Sequence, residues 1–205
     1  MGVNERKQKE KEELKNKIRE AAIELFLNDG VENVTIRKIA DKIEYAPATI
    51  YLYYKDKTDI LMDLHKVGFN ILIKYLNAVI IKNTDDILSQ MKKRAIAYID
   101  FAIDNPEYYH LIFIMSYKQK GLSSPDEWVE GRVAYDSMRT NIAKCIELGI
   151  IKSDNIEEIT FANWSFLHGL ASLISSQSGG PVKIEDKKIF AGKAITFFYS
   201  NFNSN

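Results

Sequence analysis

The chain has little cysteine, proline or glycine, and no excess of charge of either sign. Its 205 residues include one cysteine, four prolines and ten glycines. Because a single cysteine can form neither an internal disulfide nor a cysteine-rich zinc site, the fold must be held by a hydrophobic core, to which 46% hydrophobic residues can contribute. The 28 basic residues balance 28 acidic ones, which excludes a uniformly basic nucleic-acid binder but is compatible with a local basic face.

Long apolar segments are also missing. Runs such as Leu111–Met115 are far too short to span a bilayer. Residues 5–20 mix lysine and arginine with glutamate where a secretion signal would need an apolar stretch. We therefore expect a cytoplasmic protein with no membrane partner. The charged N-terminus itself fits two interpretations, a solvated helix face with ion pairs or an arm that contacts DNA.

The residues of an active site are scarce too. His65, His110 and His168 are widely separated, and no spacing of His, Asp and Glu suggests a metal site or a catalytic triad. No glycine-rich phosphate loop is present. Cys145 lies among apolar positions of a predicted helix, where a buried, inert thiol is the usual case. The sequence therefore predicts no enzyme, no metal and no cofactor.

Apolar residues recur at spacings of three and four along most of the chain, and no segment has the alternation of a strand pair. In the first such stripe, apolar residues run from Leu14 to Leu25, and Asp29-Gly30 ends the helix. The prediction is an all-α fold of about nine helices. The predicted helices cover about residues 14–29, 36–43, 47–53, 57–76, 86–105, 106–117, 125–148, 155–176 and 185–201.

Residues that favour helix ends support these bounds. Thr35 is a good N-cap, Pro47 suits the first position of a helix, and Asp56 with Asp59 forms a partial capping box. Residues that favour turns separate the later helices at positions 120–124, at Gly149 and at positions 178–181.

Residues 35–57 combine a short amphipathic helix, a three-residue turn and a second short helix, the pattern of a helix-turn-helix. In that motif the N-terminal end of the second helix enters the major groove of DNA, which favours small side chains there. Ile50 is expected to point into the core. The small residues at the tip are Ala46, Pro47, Ala48 and Thr49, and the residues placed to reach phosphates are Tyr51, Tyr53 and Lys57.

Residues 17–61 resemble the DNA-binding domain of TetR/AcrR-type transcriptional regulators. The matching features are a first helix at Ile18–Phe26, a glycine turn at Gly30, the segment 35–40 and the recognition stretch 48–57. The resemblance implies three groups of DNA contacts. Thr35, Arg37 and Lys38 approach the DNA from the second helix; Pro47, Ala48 and Thr49 face the bases or nearby backbone; and Tyr51, Tyr53 and Lys57 clamp phosphates.

Three positions depart from the family pattern, two in the turn and one after it. Leu52, after the turn, stands where the family often has a histidine, which removes a polar phosphate contact. Glu44 stands where the family usually has a glycine, and a left-handed conformation there would cost roughly 1–2 kcal/mol. Ala46 replaces the usual serine cap, so the recognition helix lacks a side-chain acceptor, an effect of about 1 kcal/mol.

Residues 86–205 hold most of the bulky aromatic side chains. Such stripes are usually core, but together they can line an apolar pocket. Residues 163–170 resemble the Trp-x-x-x-His-Gly element of one class of TetR C-terminal domains, and residues 105–113 resemble the helix junction of that class. The resemblance implies that Trp164 and His168 face a ligand pocket, with Tyr109 and Phe113 opposite. His168 fits equally well a core histidine that hydrogen-bonds within the bundle.

The predicted long helix after Asp56 connects the two functions. It is continuous from the phosphate-contacting end near Lys57 to the expected pocket wall near Phe69 and Leu72, so it would transmit the presence of an effector.

The last two predicted helices are apolar on more than one face, as in the segments around Phe161 and Leu173 and around Ile189 and Phe197. In the TetR family these two helices form a dimerising four-helix interface. Gly169 would let another helix approach closely.

These patterns predict a homodimeric DNA-binding transcriptional regulator, expected to be a repressor that leaves a palindromic operator when a small apolar or aromatic effector binds. Residues 1–55 would form the helix-turn-helix domain, and residues 56–205 the effector-binding and dimerisation domain. An all-α scaffold that binds protein through its aromatic helices is an alternative from another class, and a small-molecule enzyme is a third.

Overall fold

The computed structural model describes residues 2–82, 86–115, 129–176 and 183–203. All regular secondary structure in these ranges is helical, which confirms the all-α prediction. The helices are α1 Val3–Asp29, α2 Ile36–Lys42, α3 Pro47–Ile50, α4 Lys57–Asn77, α5 Ile87–Asp104, α6 Pro106–Tyr109, α7 Val129–Glu147, α8 Ile156–Ser175 and α9 Lys187–Ser200. The predicted turns at residues 120–124 and 178–181, and the predicted helix ends at Tyr117 and Pro125, lie outside the described residues.

The helices group into two compact units. The first contains residues 1–68 and 107–127, and the second contains residues 69–106 and 128–205. Helix α4 therefore contributes its residues up to Gly68 to the first unit and the rest to the second. The predicted boundary between residues 55 and 56 divides the chain by function instead, and it stays a prediction.

Helix α1 begins eleven residues before the first apolar position of its stripe, at Val3 rather than near Leu14. Its exposed N-terminal half carries ion pairs one turn apart, Arg6 with Glu10 at 2.8 Å and Lys9 with Glu13 at 3.7 Å. Each such pair stabilises a helix by about 0.2–0.5 kcal/mol. This geometry favours the interpretation of the charged N-terminus as a solvated helix face.

Most of the predicted caps are confirmed. Thr35 Oγ1 accepts from the backbone N–H of Lys38 at 3.2 Å, and Asp56 Oδ1 accepts from that of Asp59 at 2.9 Å. The capping-box expectation was wrong in one detail, because the Asp59 carboxylate accepts from the N–H of Lys55. The third helix ends at Ile50 rather than near Tyr53, and residues 51–53 form a turn.

In the first unit, α1, α2, α3 and the start of α4 enclose a core of aliphatic side chains and Phe26. Gly68 of α4 allows a close approach to the segment after α6, because a Cβ at Gly68 would lie only 2.8 Å from Ile112. The fully buried members of the core include Ile18, Ala22, Val34, Ile39, Ile50 and Ile60.

In the second unit, α5 packs against α7, α8 and α9. Its core includes the buried residues Phe101, Ile142 and Ile195. A buried hydrogen bond joins α8 to α9, in which the Tyr199 hydroxyl donates to Asn163 Oδ1 at 2.8 Å. Cys145 is fully buried, as predicted, and burial raises the pKa of its thiol to about 11.

The described residues contain neither a membrane-spanning helix nor a cluster of metal-binding side chains. No helix there combines the length and apolarity needed to cross a membrane. No group of three or more His, Cys, Asp and Glu side chains in the same ranges is arranged to hold a metal ion.

Candidate functional site

Helix α2 presents three of the predicted DNA contacts. Thr35, Arg37 and Lys38 are all exposed. The Arg37 side chain is 83% exposed and lies 4.0 Å from Asp41, while Lys38 Nζ lies 3.2 Å from Asp29 Oδ2. Exposed ion pairs of this kind are worth about 0–1 kcal/mol, so they do not prevent either cation from meeting a phosphate or a base.

Helix α3 presents the small residues of the recognition segment. Ala48 is exposed, Pro47 and Thr49 are half-buried, and Ile50 is fully buried. Because Ile50 anchors the helix in the core, Ala48 stays at the surface with little side chain between the backbone and solvent. The predicted inward orientation of Ile50 is confirmed.

The turn between α2 and α3 is held in the conformation that the sequence predicted to be costly. Glu44 has a φ of 59°, in the left-handed region that favours glycine. The N–H of the next residue, Tyr45, donates back to the Ala40 carbonyl of α2 at 3.0 Å. Ala46 occupies the N-cap with no side-chain hydrogen bond, as expected. The turn therefore keeps its geometry without the glycine and the serine cap that the family usually has at these two positions.

Three tyrosines follow α3, and they have different surroundings. Tyr51 is 57% exposed, Tyr53 is half-buried, and Tyr54 is only 3% exposed. Tyr51 and Tyr53 are thus accessible to a bound phosphate, whereas Tyr54 belongs to the core of the unit.

Lys57, the third predicted phosphate contact, donates hydrogen bonds within the chain. Its Nζ lies 2.7 Å from the carbonyl oxygen of Val31, 3.3 Å from that of Glu32 and 3.1 Å from that of Val34. A phosphate contact by Lys57 stays a prediction, and one that these internal hydrogen bonds do not favour.

One carboxylate links α1, α4 and the turn after α3. Asp63 Oδ2 accepts from Arg19 Nε at 2.8 Å and from the Tyr54 hydroxyl at 2.5 Å, and Lys15 Nζ lies 3.4 Å away. The Lys15 ammonium also lies over the Tyr54 ring, 5.4 Å from its centre. The cluster is partly buried, so its charges are screened less than those at the surface.

The pKa values in this cluster follow from its contacts. Burial alone would raise the pKa of Asp63, but the hydrogen bonds from Arg19 and Tyr54 outweigh burial and lower it. Burial and the hydrogen bond to Asp63 raise the pKa of Tyr54. Asp63 is therefore ionised and Tyr54 neutral at pH 7. The sequence analysis missed this cluster, although Lys15 and Arg19 stand one turn apart on α1, a spacing that could have indicated a shared acidic partner.

Two of the predicted effector contacts lie in the first unit. Tyr109 is 1% exposed and Phe113 is half-buried, and their ring centres are 5.5 Å apart. They lie at the end of α6 and in the π-helical turn His110–Ile114 that follows it.

The other four predicted effector contacts lie in the second unit. Trp164 and His168, one turn apart on α8, have ring centres 5.6 Å apart, and both are half-buried. The Trp164 ring also makes T-shaped contacts with the rings of Tyr135 and Phe161. Phe69 and Leu72 on α4 are 0% and 1% exposed. Trp164 and His168 thus form a local aromatic cluster, while Phe69 and Leu72 are core residues.

His168 hydrogen-bonds within the bundle. Its Nδ1 lies 3.4 Å from the Tyr98 hydroxyl on α5. Burial lowers the pKa of His168, so its imidazole is neutral at pH 7. In the neutral ring one nitrogen is a donor and the other an acceptor.

A groove that the sequence did not indicate lies between the end of α4 and α5, with a volume of about 550 Å³. None of the predicted effector contacts lines it. Its walls are formed by Lys74, Tyr75, Ala78, Val79, Ile80, Lys93, Ile96, Ala97 and Asp100.

Helices α8 and α9 leave large apolar side chains in solvent. Phe161 and Leu173 on α8 are 58% and 61% exposed, and Ile189 and Phe197 on α9 are 60% and 73% exposed. Within the described chain, a Cβ added at Gly169 would meet nothing within 4 Å. The expected close approach of another helix to Gly169 is therefore not made by the described residues of this chain.

Two family models match the sequence. Residues 18–64 match the model of bacterial regulatory proteins of the TetR family, and residues 92–191 match the model of a tetracyclin repressor-like C-terminal domain. The two spans together cover most of the chain. The more specific Trp-x-x-x-His-Gly class of C-terminal domain stays a prediction.

Curated relatives and a solved structure agree with these models. A Staphylococcus aureus HTH-type transcriptional regulator is 30% identical over 103 residues, which are 49% of this chain and 54% of that protein. The match thus spans about half the length of that relative. An uncharacterized HTH-type transcriptional regulator from Bacillus subtilis is 25% identical over 160 residues, 78% of each chain.

The crystal structure of a TetR-family bacterial regulatory protein from Rhodococcus RHA1 has the same fold. It superposes with a TM-score of 0.74 at 20% identity, covering 91% of this chain and 95% of that one. The fold, the helix-turn-helix and both family models agree, and the chain belongs to the TetR family of transcriptional regulators, which combine an N-terminal DNA-binding helix-turn-helix with a C-terminal ligand-binding domain.

Proposed function

We propose that this protein is a cytoplasmic homodimer that represses transcription by binding a palindromic operator, and that a small apolar effector releases it. The observation that carries the DNA-binding part is the surface of the helix-turn-helix. Arg37 and Lys38 on α2 and Ala48 on α3 are exposed, while Ile50 fixes α3 to the core. This arrangement offers cations for phosphates and a small-residue tip for the major groove.

The recognition helix favours apolar and shape-based recognition of DNA. Pro47, Ala48 and Thr49 offer one hydroxyl and several apolar surfaces, which suit thymine methyl groups and close backbone approach better than bidentate guanine contacts. Arg37 or Lys38 would add the charged contacts, and the shape of the DNA would contribute further selectivity. Tyr51 and Tyr53 would hydrogen-bond phosphates beside the recognition helix.

Dimerisation through α8 and α9 would cover their exposed apolar side chains. A monomer rarely leaves several large apolar residues on two neighbouring helices, and covering them is favourable by about 25 cal/mol for each Å² of apolar surface. The glycines at 169 and 192, whose Cβ positions meet nothing within 4 Å, leave space for a partner helix. Two recognition helices related by a two-fold axis would then read the two halves of a palindrome.

The effector would bind at Trp164 and His168, where an aromatic surface adjoins one polar ring. The few polar groups there favour an apolar, aromatic ligand, and the neutral His168 adds no charge to the site. Contacts from Tyr109, Phe113, Phe69 and Leu72 remain expectations from the sequence. Because α4 is one continuous helix from Lys57 to Asn77, it can carry a displacement of its second half to the first unit.

An effector releases DNA only if it binds more tightly to the conformation that does not fit the operator. A tenfold loss of DNA affinity requires a coupling free energy of about 1.4 kcal/mol, within the usual range for allosteric proteins.

The DNA-binding part is tested by a mobility-shift titration of the DNA upstream of the protein's own coding sequence, with a scrambled duplex of equal length as the control. We expect retardation of the upstream duplex at protein concentrations that leave the scrambled duplex free. Equal retardation of both would contradict operator recognition, and no retardation would favour the scaffold alternative.

The effector is tested by thermal-shift screening of apolar aromatic and aliphatic compounds, with and without a carboxylate, followed by DNA release. The Trp164→Ala, His168→Ala double variant should lose the shift, whereas the exposed control Phe190→Ala should keep it. Hits that bind the double variant as well as the parent would place the effector site elsewhere. Hits that leave DNA affinity unchanged would remove the switch from the proposal.

A further inference from the structure

The ammonium group of Lys57 is fully occupied inside the first unit. It carries three hydrogens, and three backbone carbonyl oxygens, those of Val31, Glu32 and Val34, lie within 2.7–3.3 Å of its nitrogen. The side chain is half-buried, although Lys57 stands at the first position of α4. An ammonium held in this way has no hydrogen left for a phosphate unless it gives up a contact that it already makes.

The acceptors of these hydrogen bonds are carbonyl oxygens of the turn that leads into α2. Val31 and Val34 are 8% and 0% exposed, and they belong to the short 3-10 helix Val31–Asn33 and its C-cap. The Val31 carbonyl also accepts from the backbone N–H of Val34 at 3.3 Å, so Lys57 is a second donor to this oxygen. A hydrogen bond from a charged donor is stronger than one between neutral groups. Lys57 therefore stabilises the turn that leads into α2.

The position of this contact in the chain gives it a role in DNA binding. The three acceptors end directly before Thr35, the N-cap of α2, and Lys57 follows directly after Asp56, the cap of α4. The residues between them, 35–56, comprise α2 with its N-cap, the turn, α3 and the segment 51–56 that leads to α4. The hydrogen bonds of Lys57 thus join the two ends of the helix-turn-helix segment.

We propose that Lys57 is a positioning residue for DNA binding, which fixes α2 and α3 by closing the helix-turn-helix segment on itself and makes no contact with phosphate. The proposal rests on the DNA binding proposed above and concerns how the same surface is held. It assigns the phosphate contacts to exposed groups, such as Arg37, and the geometry of the recognition surface to Lys57.

The salt dependence of DNA affinity distinguishes the two roles. A lysine that neutralises a phosphate releases a counterion, so its removal lowers the slope of log K against log salt by about 0.9. A lysine that acts only through the fold leaves this slope unchanged, while its removal weakens binding at every salt concentration.

The experiment uses a duplex selected from random DNA by the unmodified full-length protein. Affinities of the parent, Lys57→Met, Lys57→Arg and the exposed control Arg37→Met are measured between about 50 and 200 mM salt. We expect Lys57→Met to bind about tenfold more weakly with the slope of the parent. We expect Lys57→Arg, which keeps charged donors, to recover part of the lost affinity, and Arg37→Met to lower the slope.

A slope that falls by about 0.9 in Lys57→Met would overturn the proposal, and so would an unchanged affinity. If the parent selects no DNA, the proposed function itself fails. If the parent selects DNA and only the Lys57→Met result is contrary, DNA binding stands and the positioning role is lost.

A measurement on the unmodified protein covers the case in which Lys57→Met does not fold. The ammonium signal of Lys57 in a ¹⁵N-labelled sample is identified by its absence in Lys57→Arg. We expect this signal to exchange slowly with water and to stay in place when the selected duplex is added. A scalar coupling from the Lys57 nitrogen to a DNA phosphorus would overturn the proposal.

Discussion

The Tyr54 hydroxyl and the Arg19 guanidinium donate to the same oxygen, Asp63 Oδ2, at 2.5 and 2.8 Å. Tyr54 directly follows the turn 51–53 after the recognition helix α3, Arg19 lies in α1 and Asp63 in α4. The Asp63 carboxylate thus connects the segment after α3 to α1 and α4, the two longest helices that contribute to the first unit. Since the Asp63 and Arg19 side chains are only 20% and 13% exposed, removing one partner of this contact costs more than removing one partner of a surface ion pair.

Replacing Asp63 should destabilise the first unit. Asp63→Asn removes the charge that pairs Arg19, and we expect a loss of about 2 kcal/mol in the free energy of unfolding. Tyr54→Phe removes only one hydrogen bond and should cost about 1 kcal/mol. Denaturant unfolding of the two single variants and the double variant forms a cycle, in which the double variant should lose less than the sum. Strict additivity would show that the two side chains do not interact.

Stability should fall at both ends of the pH range. The pKa of Asp63 is lowered from its ordinary value of 3.8, so the stability it contributes is complete above pH 3.8 and is lost as pH falls through its folded pKa. The pKa of Tyr54 is raised from 10.0, so its contribution is complete below pH 10.0 and is lost as pH rises further.

These two losses can be separated by the variants that remove each group. The measurement is the free energy of unfolding as a function of pH. At acid pH, this free energy should fall less steeply in Asp63→Asn than in the parent. At alkaline pH, it should fall less steeply in Tyr54→Phe, by up to about 1.4 kcal/mol per pH unit. Other tyrosines with raised pKa values, such as Tyr199, should still cause a loss of stability at alkaline pH in Tyr54→Phe. An acid side that Asp63→Asn leaves unchanged would refute the assignment.

The helix caps were predictable because they are local. Thr35, Asp56 and Pro47 each act on residues within one turn, and the structure places all three as expected. The conformation at Glu44 was indicated by the resemblance, since the family usually has a glycine at that position, and the φ of 59° shows that Glu44 adopts the left-handed conformation without being glycine.

The contacts of Lys57 and Asp63 could not be predicted in the same way. Arg19 and Asp63 are 44 positions apart, and Lys57 and Val31 are 26 apart, so each contact depends on how α1, α2 and α4 pack. A sequence pattern shows that such cations exist but not whether they point to a partner inside the fold or to solvent. For that reason the resemblance placed Lys57 at a phosphate, whereas its ammonium lies on the backbone of the chain.

Arg37 should make a phosphate or base contact that is visible in the salt dependence of DNA binding. Its side chain is 83% exposed and only weakly paired with Asp41. Arg37→Met should lower the salt slope by about 0.9 if the contact is to phosphate, without loss of thermal stability. Lys152→Met, an equal change of charge at an exposed residue of the second unit, is the control and should leave the slope unchanged. A similar decrease in both variants would indicate a general effect of net charge.

Phe197 should be central to the proposed dimer. It is 73% exposed on α9, where the neighbouring Phe198 instead stacks on Phe166 of α8 with ring centres 3.9 Å apart. Phe197→Lys would place a charge in an apolar interface, so sedimentation equilibrium should show a shift from dimer to monomer while the helical circular dichroism is kept.

Thr196→Lys is the matched control for this shift, because it adds the same charge at the adjacent exposed position of α9. Its side chain points about 100° away around the helix from that of Phe197, so the interface should survive if Phe197 lies at its centre. Monomers in both variants would mean that the interface wraps around α9. Dimers in both would mean that the subunits meet elsewhere, and the palindromic operator would then need a different two-fold arrangement of the recognition helices.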